Sequence, residues 1–116
     1  MKKNPDLKKT IEKILNDNKA IDITSIDLKD KSPVADFMII ATGSSSRHLQ
    51  ALSEMVFEKF KKEGIVNCHI EGQNSNEWKL VDGIDIIVHI FNAEKRKFYN
   101  LEKMWVELLP KERLMI

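Results

Sequence analysis

An almost wholly apolar segment that runs into a glycine and three serines constrains the fold of this chain more than any other stretch. Residues 34–41 read VADFMIIA, with Asp36 as their only charged residue, and residues 43–46 read GSSS. A strand with apolar residues on both faces belongs inside a sheet that is covered on both sides. The segment therefore predicts a central strand between covering helices, followed by a helix that begins near Ser45.

Helix signals predict three helices in all. Asn4 and Pro5 are typical of a helix start, and the apolar residues that follow them recur at helical spacing. The second helix is predicted from Ser45 to about Lys62, because Gly64 suits the left-handed position that ends a helix. A last helix is predicted from its apolar positions, which are Phe98, Leu101 and Trp105.

Alternating apolar residues predict four further strands. The first of them shifts its alternation by one residue, which predicts a bulge around Thr24 and Ser25 in an outer strand. The others are predicted at residues 66–70, 78–81 and 84–91, and the last two join in a hairpin at Gly83.

These elements fit one domain of the α/β class over residues 1–116, a mixed five-stranded sheet flanked by helices in the order αββαβββα. Flexible ends are predicted at 1–4 and 107–116. The chain carries 19 basic and 18 acidic residues, a net charge of +1, so no global field draws it to nucleic acid or to an anionic membrane. Its apolar runs are too short to span a bilayer, and its single Cys68 is expected to be a small buried residue. We therefore expect a cytoplasmic protein.

The junction at residues 43–46 has two interpretations. Free amides at a helix N-terminus bind anions, and nucleotidyltransferases hold a triphosphate at such a Gly-Ser pair with the help of carboxylate-bound metal ions. Asp82 and Asp85 are the acids nearest in type, but Gly83 between them marks a turn, so they are not expected to project side by side. We therefore favour serines that cap a helix, without catalytic or cofactor-binding residues.

The histidines and one arginine raise separate questions. His48, His69 and His89 lie on three different elements without the short spacing of a zinc site, so no metal site is expected. Arg47 and His48 place positive charge in the first turn of the second helix, against its dipole. Either an internal acid such as Asp36 or a binding partner is expected to compensate this charge.

Five blocks of the chain, in order and without large gaps, carry a resemblance. They read ADFMIIATGSSSRH at 35–48, EG at 71–72, WKLVD at 78–82, DIIVHIF at 85–91 and RKFYNLEKMW at 96–105. Together they resemble the ribosomal silencing factor family, also called Iojap-like. The chain departs from this family in one turn, where the family usually reads D-x-G-D and this chain has its glycine one place early, at Gly83. The geometry of that turn is therefore left open.

The resemblance implies a fold related to that of nucleotidyltransferases, with no enzymatic activity and no cofactor. It implies a translational repressor that binds the large ribosomal subunit through ribosomal protein fourteen, blocks joining of the small subunit when nutrients fail, and is often dimeric when free. Trp78 and Leu80 are then expected as apolar anchors, and Glu71, Asp82 and Asp85 as partners of basic residues. Arg47, His48 and Arg96 are candidates for a secondary contact, with an internal partner as the open alternative for Arg47 and His48.

Two other functions remain as alternatives. A nucleotidyltransferase-like enzyme would bind nucleotides with magnesium, and an RNA-binding module would bind with a steep salt dependence. The near-neutral charge fits a protein surface better than bare RNA. For Trp78 itself, a place in the core is an equal alternative to a binding hot spot.

Overall fold

The structure, a computed structural model, describes residues 4–31, 33 and 35–99. Its elements within these residues are α1 Asn4–Asp17, β1 Ile21–Asp27, β2 Phe37–Thr42, α2 Ser46–Lys62, β3 His69–Glu71, β4 Trp78–Asp82, β5 Ile86–Phe91 and α3 Ala93–Tyr99. This confirms the predicted order. The predictions for Leu101, Trp105 and the end at 107–116 lie outside the described residues. Of the predicted flexible end at 1–4, only Asn4 is described, as the first residue of α1.

The strands form one mixed sheet in the order β1-β2-β5-β4-β3. β2 and β5 are parallel, and the other neighbouring pairs are antiparallel, which includes the predicted hairpin of β4 with β5. Thr42 at the end of β2 lies opposite Phe91 at the end of β5, and Trp78 at the start of β4 pairs with that same Phe91. The C-terminal ends of the parallel strands and the start of β4 therefore lie at one end of the sheet.

Separate apolar clusters cover the two faces of the sheet. On one face, residues of β2 and β5 pack with α1 and α2 in the larger cluster, whose helical members are Leu7, Ile11, Leu15, Leu49, Leu52, Val56 and Phe60. The smaller cluster comprises Leu28, Ala35, Met38, Ile40, Leu80, Ile87 and Phe91. Because successive strand residues point to opposite faces, α1 and α2 share one face and the β1–β2 connection helps to cover the other. Every residue of β2 and β5 is buried, as predicted for interior strands.

The predicted bulge exists in β1, which is an edge strand, but it lies slightly earlier. Pairing of β1 with β2 shifts register between Ile21 and Thr24, and Asp22 has a φ of 51°. Ile23 packs against the larger cluster, whereas Ile26 packs against the smaller one. The one-residue shift in the apolar alternation of β1 therefore marks the point where its apolar side chains change from one face of the sheet to the other.

The way α2 ends explains why the next strand, β3, begins later than predicted. Gly64 has the expected left-handed φ of 87°, and Ile65 donates its backbone N–H to the carbonyl of Phe60 at 3.1 Å, the pattern of a Schellman motif. Ile65 packs back onto the larger cluster, and Val66 is left 88% exposed. The prediction of a strand from residue 66 was therefore wrong, since β3 covers only His69–Glu71.

Three other residue-level predictions also change. β2 begins at Phe37 rather than at residue 34, and β5 begins at Ile86 because Ile84 lies in the turn, 46% exposed, with a φ of 73°. Cys68 is half-buried at the margin of the larger cluster rather than fully buried, and this burial raises the pKa of its thiol.

Candidate functional site

The N-terminus of α2 is closed by its own side chains. Oγ of Ser45 accepts a hydrogen bond from the backbone N–H of His48 at 3.1 Å, which confirms a serine cap. Nδ1 of His48 accepts the backbone N–H of Ser44 at 2.9 Å, and its Nε2 donates to the carbonyl of Asn18 at 2.8 Å. These bonds occupy amides that a phosphate would need and join α2 to the end of α1. Neighbouring Arg47 is exposed.

The two candidate metal-binding acids lie at the far end of the sheet from this helix start. Asp82 ends β4 and Asp85 precedes β5, whereas α2 follows the C-terminal end of the parallel strand β2. A strand of six residues separates its ends by roughly 17 Å. Metal ions held by these acids could not reach a phosphate at Gly43, so the structure does not assemble a nucleotidyltransferase site from them. Within the described residues, no three His, Cys, Asp or Glu side chains are placed to hold a metal ion.

Arg96 has internal partners. Its guanidinium donates to Oγ1 of Thr42 at 2.9 Å, to Oγ1 of Thr24 at 3.0 Å and to the carbonyl of Asp22. The side chain thereby ties α3 to the bulged strand β1 and to the end of β2. A contact between Arg96 and a binding partner stays a prediction, beside this structural role.

Four of the five predicted docking residues share one face at the β3 edge of the sheet. Trp78, Leu80 and Asp82 alternate along β4, and Glu71 of β3 pairs with Leu80. We call these four residues the β3–β4 strip. The fifth, Asp85, lies in the turn beyond it, where its backbone carbonyl accepts the N–H groups of residues 36 and 37.

Trp78 lies at one end of this strip and is its more exposed apolar residue. It is half-buried, it packs against the smaller cluster, and its backbone N–H donates to Oγ of Ser75 at 3.2 Å. Leu80 is only 8% exposed and belongs to the cluster beneath. Leu80 therefore offers little surface of its own, and its role as a docking anchor stays a prediction.

The strip is acidic, with a histidine between its carboxylates. Nε2 of His69 lies 3.1 Å from Oε2 of Glu71 and 3.9 Å from Oδ2 of Asp82. The hydrogen bond with Glu71 is the main cause that raises the pKa of His69 above its ordinary value. Sequence reasoning missed His69, because its approach to Asp82 depends on the pairing of β3 with β4.

His89 is a second histidine on the same face, and it is buried. It pairs with Leu80 across the hairpin, is 4% exposed, and its ring stacks on Phe91 with 5.8 Å between centroids. Its Nε2 has no hydrogen-bond partner among the residues that the structure describes. Burial lowers the pKa of His89 to about 4, so the imidazole is neutral at pH 7.

Comparison with known proteins identifies the chain. The family described as ribosomal silencing factor during starvation matches residues 1–114. The chain belongs to this family. The resemblance drawn from the five sequence blocks is therefore confirmed. In the described part of the chain, no helix is long and apolar enough to cross a membrane.

Relatives of this family member agree in sequence and fold. The ribosomal silencing factor of Zymomonas mobilis is 41% identical over 99 residues, which cover 85% of this chain and 74% of that protein. A crystal structure of a Chromobacterium violaceum protein superposes with a TM-score of 0.83 at 33% identity, and the match covers 90% of this chain and 87% of that one. The mouse protein named mitochondrial assembly of ribosomal large subunit protein 1 is 30% identical over 98 residues, 79% of this chain and 42% of that protein.

Proposed function

We propose that this silencing factor represses translation by binding the large ribosomal subunit through ribosomal protein fourteen, so that the small subunit cannot join. Membership of the silencing factor family supports a regulatory role at the ribosome, and the mouse relative is named for assembly of the large subunit. A folded domain on the joining face occupies the space that the small subunit needs. Binding of the factor therefore shifts the equilibrium away from joined ribosomes by mass action, and no catalysis is required. Action under starvation and a dimer of the free protein stay predictions.

The observation that carries the docking proposal is the half-buried ring of Trp78 on the same face of the sheet as two carboxylates, those of Glu71 and Asp82. Interface hot spots are enriched in tryptophan, and charged rim groups set orientation and partner choice. Glu71 and Asp82 retain side-chain exposures of 57% and 27%, so both can meet basic side chains of a partner. This acidic surface fits a basic ribosomal protein and disfavours the phosphates of RNA as primary contacts.

The direct test mixes the protein with isolated ribosomal protein fourteen, free of RNA. We expect a complex in solution and, in sedimentation with separated subunits, binding to the large subunit and fewer joined ribosomes. Failure to form the protein complex contradicts the proposal. Binding to ribosomal RNA alone, lost steeply with added salt, would instead identify an RNA-binding module.

Two variants test the docking surface itself. Trp78→Ala should weaken the complex by about 2 kcal/mol, or roughly 30-fold, whereas Trp78→Phe should retain part of the affinity. Glu71→Gln should weaken it less and should reduce its salt dependence. Glu54→Gln, an exposed change on α2, is the matched control and should bind like the unchanged protein. Unchanged affinity of a folded Trp78→Ala protein places the docking surface elsewhere.

A further inference from the structure

A buried lysine lies directly behind the β3–β4 strip. Lys79 is 2% exposed and follows Trp78 on β4, so it points to the opposite face of the sheet, the one that carries α2. Its Nζ donates to the carbonyl oxygens of Gly72 at 2.9 Å and Gln73 at 2.8 Å. A buried ammonium needs such acceptors, and here the loop between β3 and β4 supplies them.

The Trp78 ring packs against the same loop. A Cβ at Gly72 would stand 2.8 Å from Cε3 and Cζ3 of that ring, so the ring lies directly on the backbone of residue 72. The loop closes through the N–H of Ser75, which donates to the carbonyl of Gly72 at 2.9 Å. Oγ of Ser75 in turn accepts the N–H groups of residues 77 and 78. One backbone segment is thus held by Lys79 on one face and contacts Trp78 on the other.

We propose that Lys79 is a positioning residue for the docking surface: it fixes the backbone of Gly72 and Gln73, and this backbone fixes the orientation in which Trp78 meets the ribosomal protein. This inference rests on the proposed function. Because Lys79 is buried, any effect it has on binding runs through the loop and not through contact with the partner. A preorganised aromatic side chain binds more tightly because less conformational freedom is lost on association.

The test compares Lys79→Met with Lys79→Arg in a Trp105→Phe background, so that Trp78 is the only tryptophan that fluoresces. Methionine keeps an apolar stem and removes the donors, whereas arginine restores them. In Lys79→Met we expect quenching of Trp78 fluorescence by acrylamide to rise about twofold and affinity for ribosomal protein fourteen to fall about tenfold. Lys79→Arg should recover both readouts. The control Lys59→Met removes an ion pair between Lys59 of α2 and Glu63, far from the loop, and should change neither the quenching nor the affinity.

The two readouts separate this inference from the proposed function. If the unchanged protein does not bind ribosomal protein fourteen, the proposed partner fails, while the quenching of Trp78 still decides whether Lys79 holds the ring. Unchanged quenching in a folded Lys79→Met protein overturns the inference, and so does raised quenching with unchanged affinity. Lys79→Gln, whose amide is too short to reach both carbonyls, gives the same readouts if the methionine variant does not fold.

Discussion

Gly83 lies against the ring of Phe60, so close that a Cβ at position 83 would stand 2.6 Å from the ring atoms Cε2 and Cζ. Phe60 is fully buried in the larger cluster and cannot move aside without disturbing the core. This contact requires glycine at position 83, because any side chain there would clash with the ring. The next residue, Ile84, then adopts a φ of 73° although it is β-branched.

Gly83→Ala should therefore destabilise the protein by about 2 kcal/mol, because the added methyl group overpacks the core. Urea unfolding followed by circular dichroism measures this change. Gly64→Ala is the control: its Cβ meets no atom within 4 Å, so only the strain of its φ of 87° applies. In the double variant Gly83→Ala with Phe60→Leu, the loss of stability should be smaller than the sum of the losses in the two single variants. Strict additivity of the two changes would show that the ring is not the obstacle.

Ile84→Gly should raise stability by about 1 kcal/mol, because a left-handed conformation is strained for a β-branched residue and relaxed for glycine. Ile84→Asn should behave similarly, since asparagine tolerates this region without the backbone entropy of glycine. Ile84→Val keeps the strain and should not gain stability. Thermal unfolding of the three variants measures these changes. A loss of stability in both the glycine and the asparagine variants would show that the conformation of Ile84 is not strained.

The order of the elements could be predicted because the spacing of apolar residues is set by each element alone. The starts of strands could not, because they depend on turns that the spacing does not encode. Val66 and Ile84 continue an apolar alternation in the sequence, yet both are exposed. The Schellman motif at Gly64 and the turn after Asp82, whose Oδ1 accepts the N–H of Ile84 at 2.8 Å, decide their positions.

The candidate site was predictable to a similar degree. The family resemblance supplied the residue types of the β3–β4 strip, and strand alternation placed Trp78, Leu80 and Asp82 on one face. The burial of Leu80 and the reach of Lys79 to the β3–β4 loop depend on how β4 sits between two other strands. A single sequence does not contain that pairing, so these features required the structure.

His89 should make stability depend on pH in a defined window. Its folded-state pKa of about 4 lies below the ordinary value of 6.5, so the unfolded chain binds the proton first as the pH falls. The contribution of His89 to stability is therefore fully present above about pH 6.5 and falls as the pH falls toward 4. At pH 5 about 2 kcal/mol of this contribution is lost. His69 acts in the opposite direction, because its pKa is raised and its contribution is lost as the pH rises.

The variant His89→Phe isolates this effect, because it keeps an aromatic ring beside Phe91 and cannot take up a proton. Urea unfolding at pH 7.5 and pH 5 should show a larger loss for the unchanged protein than for the variant, by about 2 kcal/mol. The contribution of His69 is common to both proteins and cancels in the difference. Equal losses in the two proteins would show that His89 does not titrate as its burial requires.

His48 and Arg47 are adjacent in sequence and should differ sharply on substitution. His48→Ala removes the bonds to Ser44 and Asn18 that join α2 to α1, so we expect a loss of about 2 kcal/mol of stability. Arg47→Ala, at an exposed position, should stay within about 0.5 kcal/mol. Both proteins should bind the large subunit normally below their unfolding temperatures, since docking is proposed at the β3–β4 strip. Weaker binding by a stable Arg47→Ala protein would extend the docking surface to the start of α2.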